Sequence, residues 1–325
     1  MILPRQNLLS LLLCAFFFIL PAWAQDEKPV DLRPGWAVGQ TARYDFWSEM
    51  QKEETAELFG QVRSEKTVYL SEGQTSWTVD EVNEDGSAAC TMKMVKIKFT
   101  ITAGEAEPMV FDSENLTGDE PMFDQLIIAM VNTPLTVRVN ADGTIAAVEG
   151  IDELANAAGQ EAQDADVVPE ELDFKETASE LATLIAAPAS ATPGQTWNAK
   201  NTWNQDNVLP GADATAAWDT TFTFASLGQI AGVPIATIDA ESDIEIEVDL
   251  SELPEESPDI DIQISEAKGA GKIFFDLSRR ETVARNDSMT YTAEVTVTPP
   301  NDEIPPIKIK IVEKSQSQLL RVAEE

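Results

Sequence analysis

The feature that most constrains the fold of this chain is a repeated alternation of apolar and polar residues. It is clearest at 244–248, 260–264 and 307–311, where isoleucine or valine alternates with a charged or amide side chain. Successive side chains of a β-strand point to opposite faces of the sheet, so the pattern predicts strands with one apolar face. Such half-buried strands are typical of antiparallel sheets. We therefore predict a mainly β protein with antiparallel, curved sheets or open, barrel-like halves.

Turn signals and three helical stretches interrupt the predicted strands. Asp142-Gly143 separates the stretches 135–139 and 144–148, which we expect to form a hairpin. Apolar residues at helical spacing predict further helices, at 121–131, 151–163 and 170–187. The last two form a mainly helical connection in the middle of the chain.

These elements predict four segments: a signal peptide at 1–24, an N-terminal β-rich half at 25–150, the helical connection at 151–190, and a C-terminal β-rich half at 191–325. Gly39-Gln40-Thr41 and Gly194-Gln195-Thr196 open a predicted strand in each half. This short repeat fits a duplicated β-unit, and it also fits a common strand-opening turn. The pattern leaves open whether the halves form one domain or two.

The first residues have the pattern of a secretory signal peptide. Arg5 precedes an apolar run at 8–20, and Ala22-Trp23-Ala24 supplies the small residues that flank a cleavage site. We expect cleavage after Ala24 and export to the periplasm or the extracellular space. The alternative is an uncleaved anchor. No later segment is apolar over the length that a membrane helix needs, so we expect no integral membrane segment after cleavage.

Charge and residue content exclude several functions. The formal net charge is −35, which disfavours binding to nucleic acid and to anionic membranes. The chain has no histidine, so histidine-based triads and histidine-ligated zinc are excluded. After signal cleavage, Cys90 is the single cysteine, and its apolar surroundings predict a buried, unreactive thiol.

One predicted strand carries an unusual acidic face, formed by Asp243, Glu245, Glu247 and Asp249. Like charges repel across strands, so we expect compensation by a neighbouring lysine-bearing strand. The candidate lysines are Lys96, Lys98, Lys308 and Lys310. Solvation and bound calcium are the alternatives, although no loop has calcium-binding spacing. We predict no metal and no cofactor.

No catalytic motif stands out. The 57 acidic residues make a glycosidase-type carboxylate pair impossible to locate from the sequence. Ser265 and Lys268 have the Ser-x-x-Lys spacing but lack its companion motifs. Gly269-Ala270-Gly271 is too short for a nucleotide-binding loop and predicts a turn or bulge. We expect that the protein is not an enzyme, with no catalytic residues to assign.

Tryptophans are the other candidates for binding. A tryptophan in a β-protein fills a core or, when exposed, binds ligands such as glycans or peptides. Trp47, Trp197 and Trp203 lie near the repeated strand opening and are our candidate binding aromatics.

The order of these signals resembles a family of uncharacterised exported bacterial β-rich proteins that carry a domain of unknown function. The motifs that carry the resemblance are Gly39-Gln40-Thr41, Asp112-Ser113-Glu114, Asp142-Gly143-Thr144 and Gly194-Gln195-Thr196-Trp197. The resemblance spans most of the chain after the signal peptide. It implies an exported, β-rich protein, and it implies no activity and no catalytic residues.

Three functional hypotheses follow. The first is a non-enzymatic cell-envelope protein that binds an apolar small molecule, because curved sheets capped by helices can enclose such a ligand. The second is a structural or protein-interaction component of the envelope without a small-molecule site, whose partner is another envelope protein. The third is a carboxylate-based hydrolase.

Overall fold

A computed structural model describes most of the chain. The described residues are 28–58, 60–116, 118, 121–159, 186–209, 212–251, 253, 257–299 and 305–322, with the side chains of 58, 203–209 and 212 not described. The predicted signal peptide lies outside these residues. So do residues 170–185 of the third predicted helix.

The described elements are mostly long strands, as the alternation predicts. The strands are β1 (Thr41–Leu58), β2 (Gln61–Val82), β3 (Ala88–Ala103), β4 (Met109–Asp112), β5 (Leu135–Val139), β6 (Ile145–Glu149), β7 (Thr196–Leu209), β8 (Ala212–Ile230), β9 (Val233–Asp249), β10 (Asp259–Asp276), β11 (Glu281–Thr298) and β12 (Ile307–Arg321). The helices in the described ranges are α1 (Pro121–Asn132) and α2 (Ile151–Ala158). β2 has 22 residues, whereas strands commonly have about five or six.

All twelve strands belong to one antiparallel sheet. Its order is β6-β5-β3-β2-β1-β12-β11-β10-β9-β8-β7, with β4 paired to β3. β6 and β7 end the order, so the sheet is open. The first and last strands pair at its centre, from Tyr44 opposite Arg321 to Glu57 opposite Lys308. The two β-rich halves therefore meet through this central pair.

Several local predictions are confirmed. The hairpin around Asp142-Gly143 is formed by β5 and β6, and α1 covers the helix predicted at 121–131. α2 begins where predicted and ends at Ala158, because Gly159 caps it with a φ of 91° that favours glycine. Residues 160–163 of that prediction lie outside the described residues.

One face of the sheet carries two apolar cores. The first lies under α1 and α2 and includes Ile127 and Leu154 from the helices and the fully buried Cys90. Burial raises the pKa of the Cys90 thiol to about 12. The second core contains Phe224 and Phe275 and is shared with the segment at 30–32 and with residues 187 and 191. We call this side of the sheet the core side and the opposite side the polar side.

The repeated sequence at the two strand openings forms the same turn. Gly39 N–H donates to Val79 O at 2.8 Å, and Val79 N–H donates to Gln40 O at 2.9 Å. The Gly194-Gln195 pair exchanges the same two bonds with Phe224, at 2.7 and 2.9 Å. Each turn opens an antiparallel meander, which then continues differently in the two halves: α1, β5, β6 and α2 follow in the first, and further long strands in the second.

The predicted pairing of lysine strands with the acidic strand is wrong. The acidic residues lie on β9, whose neighbours are β8 and β10. Lys98 instead pairs with Glu72 at 2.9 Å, and Lys310 pairs with Glu294 at 3.3 Å. The four acidic side chains of β9 are exposed, and Lys268 on the neighbouring strand β10 lies directly opposite Asp243.

The glycine-rich triplet 269–271 also departs from expectation. It lies inside β10 in regular register, and the irregularity of β10 falls just before it, between Ser265 and Lys268. A side chain at Gly271 would place its Cβ 2.3 Å from Asp287 Oδ1. Glycine therefore makes room for a neighbouring side chain and does not form a turn.

Among the described residues, neither helix has the length and apolar character needed to cross a membrane.

Candidate functional site

A compact aliphatic patch covers the core side of β10, β11 and β12 at one end of these strands. Three rows of directly opposed residues build it. They are Ile260–Val297–Ile307, Ile262–Val295–Ile309 and Ile264–Ala293–Ile311. We call these nine residues the aliphatic face. With strands about 4.8 Å apart and a rise of about 3.3 Å per residue, the grid measures roughly 10 by 13 Å between backbone positions.

The aliphatic face belongs to neither core. None of its nine residues is part of the two core clusters or packs against them. Ala293 is buried, and the other eight side chains are half-buried. Neighbouring side chains on a sheet shield one another in part, so half-burial is expected where a face has no second layer. Within the described part of the chain, the face is therefore an apolar surface that no core covers.

The polar side of the same strands is strongly charged. Asp261 on β10 and Lys308 on β12 are exposed residues that alternate with aliphatic ones. Lys310 and Glu294 form an ion pair there at 3.3 Å. The alternation thus gives each strand a hydrated side and an aliphatic side. Because the charged side chains stay in water, the aliphatic side chains all point to the core side of the sheet.

A polar border limits the aliphatic face toward the middle of the sheet. Tyr291 and Glu313 are the next opposed pair on the same side. The Tyr291 hydroxyl donates to Glu313 Oε2 at 2.9 Å. Burial raises the pKa of Glu313, although the hydrogen bond from Tyr291 and the nearby Lys52 oppose the shift. Burial also raises the pKa of Tyr291, so the border keeps its hydroxyl proton at neutral pH.

The sheet forks beside the aliphatic face. β9 and β10 pair only as far as Asp243 opposite Lys268. Beyond this point, 244–249 of β9 pair with β8, and 259–264 of β10 pair with β11. A register shift in β10 accompanies the fork, where Glu266 has a φ of 57°. Residues 244–249 and residues 259–264 therefore each have one backbone edge without a strand partner in the described residues.

The three candidate aromatics lie in different surroundings. Trp197 packs against the second core and stacks on Phe222, with ring centroids 5.4 Å apart. The side chain of Trp203 lies outside the described residues, although its backbone pairs with Ala216 in β8. Trp47 is half-buried on the polar side of β1 and lines an open groove there. The structure therefore does not bring the three together.

Sequence reasoning missed the residues of the aliphatic face as a site. Their alternation was used to predict strands, and apolar strand faces usually indicate a core. Alternation shows that a face is apolar, but not whether another layer covers it. The described residues contain no group of three acidic or cysteine side chains placed to hold a metal ion. The chemistry offered by the aliphatic face is the binding of an apolar group.

Comparisons with known proteins give limited similarity. No curated protein matches the chain. A solved structure on lipid–protein interactions in lipovitellin is similar with a TM-score of 0.45 and 10% identity, covering 89% of this chain. The chain spans about a quarter of that protein's length, 26%. The CymD monoaromatic hydrocarbon channel has a TM-score of 0.11 and 9% identity, with coverage of 89% of this chain and 90% of the channel.

A family model matches more than half of the chain, over residues 85–265, and its description is a family of unknown function. The match runs from the β2–β3 turn through the first part of β10, and therefore includes strands of both halves. The chain belongs to this family of unknown function, DUF6263.

Proposed function

We propose that the protein is a non-enzymatic binding protein for an apolar ligand with an acyl chain, held on the aliphatic face. The observation that carries the proposal is the three-by-three aliphatic grid, which neither core covers within the described residues. An apolar surface that is rimmed by polar residues is a feature of interaction sites. Burying it is worth about 25 cal/mol for each Å² of apolar area.

The composition of the face favours an acyl chain over other apolar groups. The grid consists of isoleucine, valine and one alanine, with no aromatic or charged member. Branched aliphatic side chains offer a surface without directional contacts, which suits a flexible hydrocarbon. The border of Tyr291, Glu313 and Lys52 places polar groups beside the face, where the polar end of such a ligand would lie.

A pair of matched double variants tests the proposal. Ile262→Thr with Ile309→Thr makes the centre of the face polar while keeping β-branched residues in the strands. The control, Asp261→Thr with Lys308→Thr, introduces the same two threonines one residue away, on the polar side of the same strands. The assay is fluorescence of N-phenyl-1-naphthylamine, a neutral probe, and its displacement by palmitic acid.

We expect the wild type to bind the probe and palmitic acid to displace it. Each Ile→Thr change removes apolar contact worth on the order of 1 kcal/mol, so the face variant should bind at least about tenfold more weakly. The polar-side variant should bind within about twofold of the wild type. Equal affinity in both variants, or no binding by a folded wild type, would contradict the proposal.

The second hypothesis, a protein partner, is supported by the fork. The edges at 244–249 and 259–264, which have no strand partner on one side among the described residues, offer backbone groups to which another strand could add. Cross-linking in an envelope extract separates the two functions. A partner strand would protect these segments from hydrogen exchange, whereas a small apolar ligand would leave them unchanged.

Export is part of the same proposal and rests on the sequence pattern at 1–24. Protein recovered from the producing cells should have the intact mass of a chain that begins at Gln25, and this result would support export. The intact mass of a chain that begins at Met1 would contradict cleavage.

A further inference from the structure

We infer that the polar side of the sheet carries a separate binding groove for a neutral carbohydrate, centred on Trp47. The groove has a volume of about 430 Å³ and is open to solvent. Ligand pockets typically have about 300–1,000 Å³. The groove spans the central strands β1, β12, β11 and β10 and is independent of the aliphatic face, which lies on the other side of the sheet.

One cross-strand row forms the axis of the groove. Trp47 on β1 lies directly opposite Gln318, which lies opposite Asn286, which in turn lies opposite Lys272. The row covers three strand spacings, or roughly 14 Å at about 4.8 Å per strand. A second row, from Gln316 through Ser288 to Ala270, widens the groove because its last two side chains are small.

The polar groups of the row are held in place. Gln318 Nε2 donates to Asn286 Oδ1 at 2.9 Å, which fixes both amides and leaves the Gln318 oxygen and an Asn286 N–H for a ligand. Lys272 Nζ forms an ion pair with Asp239 Oδ1 at 3.0 Å. The charge of the lysine is thereby balanced. Asp287, which also lines the groove, forms an ion pair with Arg285 at 2.6 Å, so the groove presents hydrogen-bonding groups without a strong net charge.

Trp47 is the unusual member of this surface. It is a large aromatic on the polar side of the sheet, and it belongs to neither core. Its neighbour on β2, Glu72, forms an ion pair with Lys98 at 2.9 Å. The negative face of an aromatic ring attracts the weakly positive C–H groups of a sugar ring, while side-chain amides bond its hydroxyls. An aromatic beside fixed, neutral amides suits a carbohydrate better than an ionic or purely apolar ligand.

Isothermal titration calorimetry with three soluble tetrasaccharides tests the inference. The probes are chitotetraose, cellotetraose and maltotetraose, each added up to about 10 mM. We expect saturable binding of at least one of them. Trp47→Leu, which keeps apolar volume but removes the aromatic face, should weaken that binding at least tenfold. Gln318→Leu should weaken it several-fold.

Two controls keep the result interpretable. Circular dichroism and the melting temperature verify folding of each variant. If Trp47→Leu does not fold, Trp47→Phe is measured in its place and should retain only part of the wild-type affinity. The Ile262→Thr/Ile309→Thr variant should bind the sugar as the wild type does. Absence of saturable binding by the wild type for all three probes, or unchanged affinity in Trp47→Leu, would overturn the inference.

Discussion

Replacing Arg321 by methionine should destabilise the protein by removing one partner of a buried ion pair. Arg321 Nε lies 2.8 Å from Glu281 Oε1, and the two side chains are only 9% and 8% exposed. Arg321 ends β12 and Glu281 begins β11, beside the central β1–β12 pair where the two halves of the sheet meet. Loss of the arginine leaves a carboxylate in a site that water reaches poorly.

The size of the effect follows from what remains around Glu281. Breaking a buried pair by removing one partner costs about 3–5 kcal/mol. Gln40 Nε2 still donates to Glu281 Oε2 at 3.3 Å, and Arg279 NH1 lies 3.6 Å from Oε1. These partners place the expected loss near the lower limit, at about 3 kcal/mol. The double variant Arg321→Met/Glu281→Met removes both charges and should lie within about 1 kcal/mol of the wild type.

The assay is equilibrium unfolding in guanidinium chloride, with Lys310→Met as the control for a surface pair. Lys310 and Glu294 are 53% and 60% exposed, so that change should cost no more than about 1 kcal/mol. A loss below about 1 kcal/mol in Arg321→Met, or a double variant as unstable as the single one, would show that the unpaired buried carboxylate is not what destabilises the variant.

The pH dependence of the variant gives a second readout. Burial raises the pKa of Glu281, against the opposing effect of Arg321. A raised pKa means that the folded protein binds this proton more tightly than the unfolded chain does. Stability from the group is therefore lost as pH rises through its folded pKa. Removing Arg321 strengthens this shift, so the defect of Arg321→Met should shrink as the pH is lowered from 7 toward 5.

Three further predictions concern single positions. Ala231 has a φ of 51° in the two-residue β8–β9 turn, so Ala231→Asn should raise the free energy of unfolding by about 0.5–1 kcal/mol in a urea titration. Gly73→Ala would bring Cβ 2.4 Å from the backbone oxygen of Lys96 and should cost about 1–3 kcal/mol, while Gly228→Ala, with open space around it, should change the midpoint little. Because burial raises the pKa of Glu313, its stabilising contribution falls as pH rises through its folded pKa, and Glu313→Gln should flatten the profile of melting temperature against pH above the ordinary pKa of a glutamate.

Period-two alternation was sufficient to predict the strands and their orientation toward one apolar side. Residues 260–264 and 307–311 are the clearest cases, because every second residue is aliphatic. Local signals were also sufficient for the hairpin at Asp142-Gly143 and for α1. Such features depend on residues that are close in the chain, so a short stretch of sequence contains the information.

Strand partners could not be predicted in the same way. Lys308 and Lys310 were expected near the acidic residues of β9, but β12 lies between β1 and β11. Pairing of β1 with β12 joins the two ends of the described chain, and no local pattern encodes that long-range choice. Alternating charge is compatible with any neighbouring strand, since exposed side chains on the polar side can be solvated.

The two proposed binding surfaces could not be predicted from local sequence patterns either. The isoleucines of the aliphatic face have the sequence pattern of a core, and only the absence of a covering layer among the described residues distinguishes them. Trp47 was a candidate because it follows a strand-opening turn. Its groove depends on Gln318, Asn286 and Lys272, which come from three distant strands and align only through the register of the sheet.

The most direct test of the proposed apolar-ligand function is native mass spectrometry of the protein recovered from its producing cells and purified without detergent. We expect an additional mass that is lost on denaturation. The molecule responsible should be extracted into organic solvent and contain an acyl chain. The Ile262→Thr/Ile309→Thr variant should carry less of it than the Asp261→Thr/Lys308→Thr control. A folded wild type that carries no extra mass, and takes up no palmitic acid when this is supplied, would contradict binding of an acyl chain by the aliphatic face.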